Sequence, residues 1–227
     1  MSELDATDVP VPAQVMPKRR RTVGPLRVLR ALLPAALRRR LSELRELTPF
    51  ERRLYLRAWL RDRRGIRRAL PDRARSILVI CHGNIMRSAL GDALLRRAAA
   101  GREDLVIRSA GVGTIPGRPA DPRARRIADT LGVSLEEHRS QPVTRALVDE
   151  ADVILAMDLL NEARLLARFP SAEGRLRLLG EFDPHPGRAE IPDPYLQDPT
   201  DAEQCFLRVA RCVEQMSAAS PFRRTEP

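Results

Sequence analysis

Apolar positions follow two rhythms along the last two-thirds of the chain. Short aliphatic-rich runs at Ile77–Ile80, Leu105–Arg108, Val153–Ala156 and Leu176–Leu179 read as strands, the first unbroken and buried on both faces. Between them apolar residues recur at three- and four-residue spacing. That pattern predicts helices over Ser88–Ala100, from Asp121-Pro122 through Leu131, and from the third strand through Phe169. A last helix begins near Asp198 and carries Phe206, Leu207, Val209, Ala210, Val213 and Met216. Strands separated by helices and joined by right-handed crossovers give an α/β fold, a four-stranded parallel sheet with helices on both faces. Such sheets bind ligands beyond the carboxyl ends of their strands.

The first third has another character. Met1–Gly24 is polar, proline-bearing and aperiodic, with a basic cluster at Lys18-Arg19-Arg20-Arg21, so a disordered tail is expected over residues 1–25. Leu26–Leu47 is rich in leucine and arginine at helical spacing and is interrupted at Pro34. Thr48-Pro49-Phe50-Glu51 reads as a capped helix start, followed by Leu54, Tyr55, Ala58 and Trp59 and a stop at Gly65. The expected organisation is therefore a tail, a basic α-helical extension over 26–75, and an α/β domain over 76–220.

Charge sharpens that division. Residues 1–75 hold 20 of the 40 basic and 8 of the 30 acidic residues, so the whole positive excess lies there. Three roles for the extension stand open: packing on the α/β domain or a second copy, lying on an anionic membrane surface, or binding nucleic acid or an acidic protein. Three cysteines in 227 residues do not describe a disulfide framework and fit a reducing compartment. No apolar run approaches a membrane span, and the N-terminus lacks the form of a secretion signal. A cytoplasmic setting is expected.

The chemistry concentrates at residues 76–92, where the first strand runs into Cys81-His82-Gly83-Asn84-Ile85-Met86-Arg87-Ser88 and then a helix. Strand, tight loop and helix start is a layout in which backbone N–H groups converge on an anion. Cys81 at the strand end would have its sulfur among donors that favour the thiolate, and Arg87 would offer a planar fork to two phosphate oxygens. That combination predicts a nucleophile for phosphoryl transfer. The spacing alone is weak, since Cys205 and Arg211 repeat it inside the last helix without a glycine or a loop. The plain alternative for Cys81 is a small buried hydrophobe.

Cys81-His-Gly-Asn-Ile-Met-Arg-Ser88 resembles the signature loop of the low-molecular-weight protein tyrosine phosphatases. The resemblance continues, in the family's order, through Ser109-Ala-Gly111, Pro119-Ala-Asp-Pro-Arg-Ala124, His138-Arg-Ser140, Ala151–Asp158 with Asn161, and Asp193-Pro-Tyr195. It covers about residues 75–218. It implies Cys81 as nucleophile, Arg87 as phosphate-binding arginine, Asn84 as keeper of the loop's shape, and Ser88 as the hydroxyl that steadies the thiolate. It further implies Asp193 as general acid on a mobile loop and Tyr195 as an aromatic wall. His138 and Asp158 match positions that brace the loop. His82, Gly83, Ile85 and Met86 complete the phosphate-binding loop.

Chemistry asks independently for a carboxylic acid opposite the nucleophile, because the leaving oxygen needs a proton. Asp183-Pro184, Asp193-Pro194 and Asp198-Pro199 are the rival pairs, the last reading as a helix cap. Departures from the family are also visible. Met86 replaces a frequent second cysteine, His82 stands where a small or apolar residue is usual, and Val112–Gly117 lacks an aromatic wall residue. Ile85 stands where similar arginine-phosphate phosphatases have threonine, which favours phosphotyrosine in a protein as substrate. No cofactor or metal is implied; His82, His138 and His185 have no ligand-type spacing with the cysteines. The rivals are a thiol-dependent arsenate reductase using Cys205 and Cys212, and a phosphate- or phosphopeptide-binding module with little turnover.

Overall fold

The computed structural model describes residues 41–218 apart from 43, 186 and 196. The expected tail over 1–25, and the helical reading of Leu26–Leu47 except for its last few residues, lie outside the described residues. The chain divides into two compact units, one ending at Glu46 and one running from Leu47 onward. The second unit holds all the elements named below.

Its first element is helix α1, Pro49–Arg63. The capping box forms as the sequence suggests: Glu51 N donates to Thr48 Oγ1 at 3.2 Å, and Thr48 N donates to the Glu51 carboxylate at 2.8 Å. Gly65 takes φ of +64° where the helix stops. Four parallel strands follow, β1 (Ser76–Cys81), β2 (Val106–Gly111), β3 (Val153–Ala156) and β4 (Leu176–Leu178). Their spatial order is β2-β1-β3-β4. From β1 the chain goes one way to β2 and returns to the other side for β3, so the carboxyl end of β1 lies at the switch point of the sheet. Cys81 is that end.

The connecting helices are α2 (Arg87–Ala98), α3 (Pro122–Thr130), α4 (Arg145–Glu150) and α5 (Leu159–Arg168), and α6 (Pro199–Ala218) closes the chain. Strand alternation sends Ile77, Val79 and Cys81 into one core with α2, α3 and α6, and Leu78 and Ile80 to the opposite face, where they are equally buried. Gly91 lets α2 approach the sheet; a Cβ there would lie 3.3 Å from Val79 Cγ1 and 3.5 Å from Met157 Cε. β2 extends three residues beyond the expected strand because Ser109-Ala110-Gly111 pairs with Val79-Ile80-Cys81. The short α4 was not expected from the pattern.

α1 packs on α5 through Leu54, Tyr55 and Ala58. Arg61 grips Glu162 of α5 with two hydrogen bonds of 2.6 Å, and Glu162 is only 1% exposed. A buried carboxylate that loses its partner costs far more than an exposed pair contributes. Arg61→Met should therefore lower unfolding free energy by about 3 kcal/mol in denaturant titration. Adding Glu162→Leu should restore most of it, which separates a stranded charge from lost packing.

Candidate active site

Cys81 ends β1, and the loop of residues 82–86 turns back so that Arg87 opens α2. Asn84 makes that turn possible. Its φ of +50° is left-handed, a conformation that asparagine tolerates better than most side-chain-bearing residues. Four hydrogen bonds pin it there. Its carbonyl accepts from His138 Nε2 at 2.7 Å, its Oδ1 from Gln141 N at 2.9 Å, its Nδ2 donates to Ser88 Oγ at 3.0 Å, and its amide points at Cys81 Sγ at 3.3 Å. Because Ser88 Oγ already accepts from Asn84, its own proton is free to point at Cys81 Sγ, 2.9 Å away. The sulfur thus faces the Asn84 amide and the Ser88 hydroxyl.

The loop is strapped from outside as well. Val112 N donates to the Cys81 carbonyl and Gly113 N to the His82 carbonyl, each at 3.0 Å, and Thr114 Oγ1 reaches the Gly83 carbonyl at 2.6 Å. Asp121 N holds the Ile85 carbonyl at 2.8 Å. Ile85 and Met86 turn into the core, while His82 is exposed at the mouth. Arg164 contacts His82 Nδ1 at 3.1 Å; the partial cover that protein gives the ring, then the Arg164 charge, lowers the His82 pKa below its ordinary value. The His138 pKa is also lowered, by burial.

Arg87 is 1% exposed and charged. Its Nη1 donates to Asp158 Oδ2 at 2.6 Å and to the Ile191 carbonyl at 2.8 Å, and its Nη2 meets Asp193 Oδ2 at 2.8 Å. Burial works against the cation, but Asp158, Asp193 and Cys81 outweigh it and raise its pKa above the ordinary arginine value. Asp158 also caps α5, accepting from Asn161 N at 2.7 Å.

The three Asp-Pro pairs separate cleanly. Asp183 is bound by Arg208 at 2.6 Å, and Asp198 caps α6 by accepting from Thr200 N and Asp201 N at 3.0 Å each. Asp193 is the one at Arg87. Tyr195 stands beside it, half exposed, its amide on Asp193 Oδ1 at 3.1 Å. The second cysteine–arginine match, Cys205 and Arg211, lies within α6. Burial pushes the Cys205 and Cys212 thiols up to about 12. Thr114, Gln141 and Ile191 were not singled out from sequence, and Asp121 and Arg123 entered only as a helix cap and within a family motif, since their parts here run mostly on or through backbone atoms that residue type does not reveal.

A family model for the low molecular weight phosphotyrosine protein phosphatases matches residues 76–220. The chain belongs to that family. Its members are phosphoric monoester hydrolases, and among the similar proteins is the probable low molecular weight protein-tyrosine-phosphatase EpsP of Ralstonia nicotianae. That relative is 37% identical over 140 residues, covering 62% of this chain and 92% of EpsP. The structure of the tyrosine phosphatase Wzb from Escherichia coli K30 with sulphate superposes with a TM-score of 0.59 at 33% identity, covering 64% of this chain and 97% of Wzb. The YwlE arginine phosphatase from Geobacillus stearothermophilus superposes with a TM-score of 0.56 at 25% identity, covering 63% of this chain and 90% of YwlE. Residues before 76 lie outside the family match.

Asn84 gives a test of the phosphatase loop. Asn84→Ala removes the side-chain bonds and leaves a poor residue at positive φ, and should cost about 2 kcal/mol of stability and at least tenfold in affinity for inorganic phosphate. Asn84→Gly relieves the strain but not the lost bonds, so calorimetry should find it intermediate in both.

Proposed function

We propose that this chain hydrolyses phosphotyrosine in proteins through a phosphocysteine on Cys81. The observation that carries the reading is the convergence on Arg87, whose guanidinium sits between the cysteine loop and a carboxylate on a separate loop, Asp193, 2.8 Å away. In the ester complex the phosphate oxygens take the loop amides and Arg87, and Asp193 moves from Arg87 to the leaving oxygen. The Cys81 thiolate attacks phosphorus in line, the P–O bond to the leaving group breaks, and Asp193, protonated once phosphate has displaced it from Arg87, gives that oxygen its proton. Water then attacks phosphorus with Asp193 as base, the S–P bond breaks, and Ser88 stabilises the departing thiolate.

Asn84, His138 and Asp158 hold this geometry without reacting. Ile85 favours a phosphotyrosine substrate, Tyr195 supplies one wall for its ring, and no cofactor enters. A thiol relay on Cys205 and Cys212 is disfavoured by their raised pKa values of about 12, which leave little thiolate. The reading carries a cytoplasmic phosphoprotein partner; among the described residues no helix is long and apolar enough to cross a membrane. For the extension we favour the packing role for residues 48–75, with α1 bracing α5.

Cys81→Ser should lose about a thousandfold or more in kcat on p-nitrophenyl phosphate. A wild-type rate would refute the nucleophile. Asp193→Asn should lose about a hundredfold on phosphotyrosine and little on 2,4-dinitrophenyl phosphate, whose leaving group needs no proton. Wild-type turnover on phosphotyrosine, phosphoserine and phosphoarginine should rank phosphotyrosine first.

A further inference from the structure

When phosphate takes Arg87, Asp193 loses the ion pair that holds it in the free enzyme, and something else must keep its loop over the site. The structure points to Arg123. We propose that Arg123 is a positioning residue that clasps the acid loop to the phosphate loop during turnover, an inference that rests on Asp193 being the general acid.

The clasp is a short chain of bonds. Asp121 is held to the phosphate loop by its amide, on the Ile85 carbonyl at 2.8 Å. Its carboxylate caps α3, accepting from Arg123 N at 2.9 Å, and receives the Arg123 side chain as a fork, Nε on Oδ1 at 3.1 Å and Nη2 on Oδ2 at 3.3 Å. The far edge of the same guanidinium donates to two carbonyls of the acid loop, Nη1 to Pro194 at 3.4 Å and Nη2 to Tyr195 at 3.3 Å. Ile85 is four residues from the nucleophile and Pro194 is next to the acid. One side chain therefore spans the two halves of the site.

Its chemistry suits the task. A guanidinium is planar, permanently charged and able to bond on two edges at once, which lysine does not reproduce. The bonds to Pro194 and Tyr195 go to backbone carbonyls, so incoming phosphate does not compete for them as it competes with Asp193 for Arg87. Upstream of the acid the loop is tied by Ile191 N on the Met157 carbonyl at 2.7 Å and by Cys205 Sγ on the Pro192 carbonyl at 3.3 Å. Arg123 supplies the matching hold just downstream. With both sides fixed, the Asp193 side chain can rotate between Arg87 and a leaving oxygen while its backbone stays put. A general acid displaced by about an ångström loses much of its effect.

The test compares Arg123→Met, Arg123→Lys and Asp193→Asn with wild type in the full chain. Arg123→Met is expected to lower kcat on phenyl phosphate about tenfold while changing kcat on 2,4-dinitrophenyl phosphate, and inhibition by inorganic phosphate, less than about twofold. Arg123→Lys should fall between. Amide exchange over residues 191–198, measured with phosphate bound, should rise in Arg123→Met. Should that variant fold poorly, Asp121→Asn keeps a capping oxygen, weakens the fork, and should give a smaller change of the same kind. Equal losses on the two esters, or exchange unchanged from wild type, would overturn the clasp. If Asp193→Asn itself shows no dependence on leaving group, the acid assignment falls, and the exchange measurement alone then decides whether Arg123 holds the loop.

Discussion

A charged guanidinium with 1% of its surface exposed dictates much of this site. An unpaired cation at that depth would cost several kcal/mol, so Arg87 requires acceptors on every edge that protein surrounds. It finds one at the junction of β3 and α5, in Asp158, and two on the loop before α6, in the Ile191 carbonyl and Asp193. Three segments far apart in sequence are thereby drawn to one point at the carboxyl end of β1. Asp158 and the Ile191 carbonyl share Nη1, and Asp193 alone of the three is on Nη2 and partly exposed. The structural and the exchangeable partners of the arginine are thus divided between its two amino groups. In the proposed mechanism a substrate phosphate displaces the second without disturbing the first.

The phosphate loop and the acid loop are held in different ways. Residues 81–85 are bonded through their backbone to Val112, Gly113, Thr114, Asp121 and His138, five contacts from three separate stretches of chain. Such a loop is set before substrate arrives, which is what stabilising a transient anion with fixed dipoles demands. The stretch around Asp193 has no helix or strand and, beside the backbone bond from Ile191 N to the Met157 carbonyl, is held by side chains, Arg208 on the Glu190 carbonyl, Cys205 on that of Pro192 and Arg123 on those of Pro194 and Tyr195. A fixed cradle and an adjustable Asp193, the acid of the proposed mechanism, follow from where backbone hydrogen bonds were available.

The sheet could be read from the sequence because parallel strands buried on both faces leave unbroken apolar runs, as at Ile77–Ile80. The helix caps at Thr48 and Asp198 were legible for a related reason, since a cap is a side-chain signal. Helix α4, Arg145–Glu150, was not, because six residues are too few to show a period. The loop from Cys81 to Ser88 was legible as chemistry, but its supports were legible only in part. Asn84 carries its role in its side chain, whereas Asp121 and Thr114 work on backbone atoms whose partners the chain reveals only when folded. Asp193 stands out among the three Asp-Pro pairs through its family motif and Asp198 as a helix cap, whereas the partner of Asp183 is not legible, since Arg208 lies 25 residues away.

The positive charge of the chain has a use that composition conceals. Arg175 donates to the carbonyls of Val148, Asp149 and Ala151, Arg177 to that of Ala69, and Arg97 to that of Leu131. Each closes a loop or helix end through its backbone carbonyls, a task that a five-donor side chain meets better than any other. In the 48–75 stretch, Arg61 is committed to Glu162, Arg67 to Asp62, and Arg68 to Glu173 and its carbonyl. Part of the basic excess that reads in sequence as a surface for nucleic acid or lipid is therefore internal wiring, holding α1 to α5 and the strap after it to β4. Arg123 belongs to the same habit. In a chain that closes its loops with guanidinium groups, an arginine placed on the carbonyls beside the acid is the expected means of holding that loop as well.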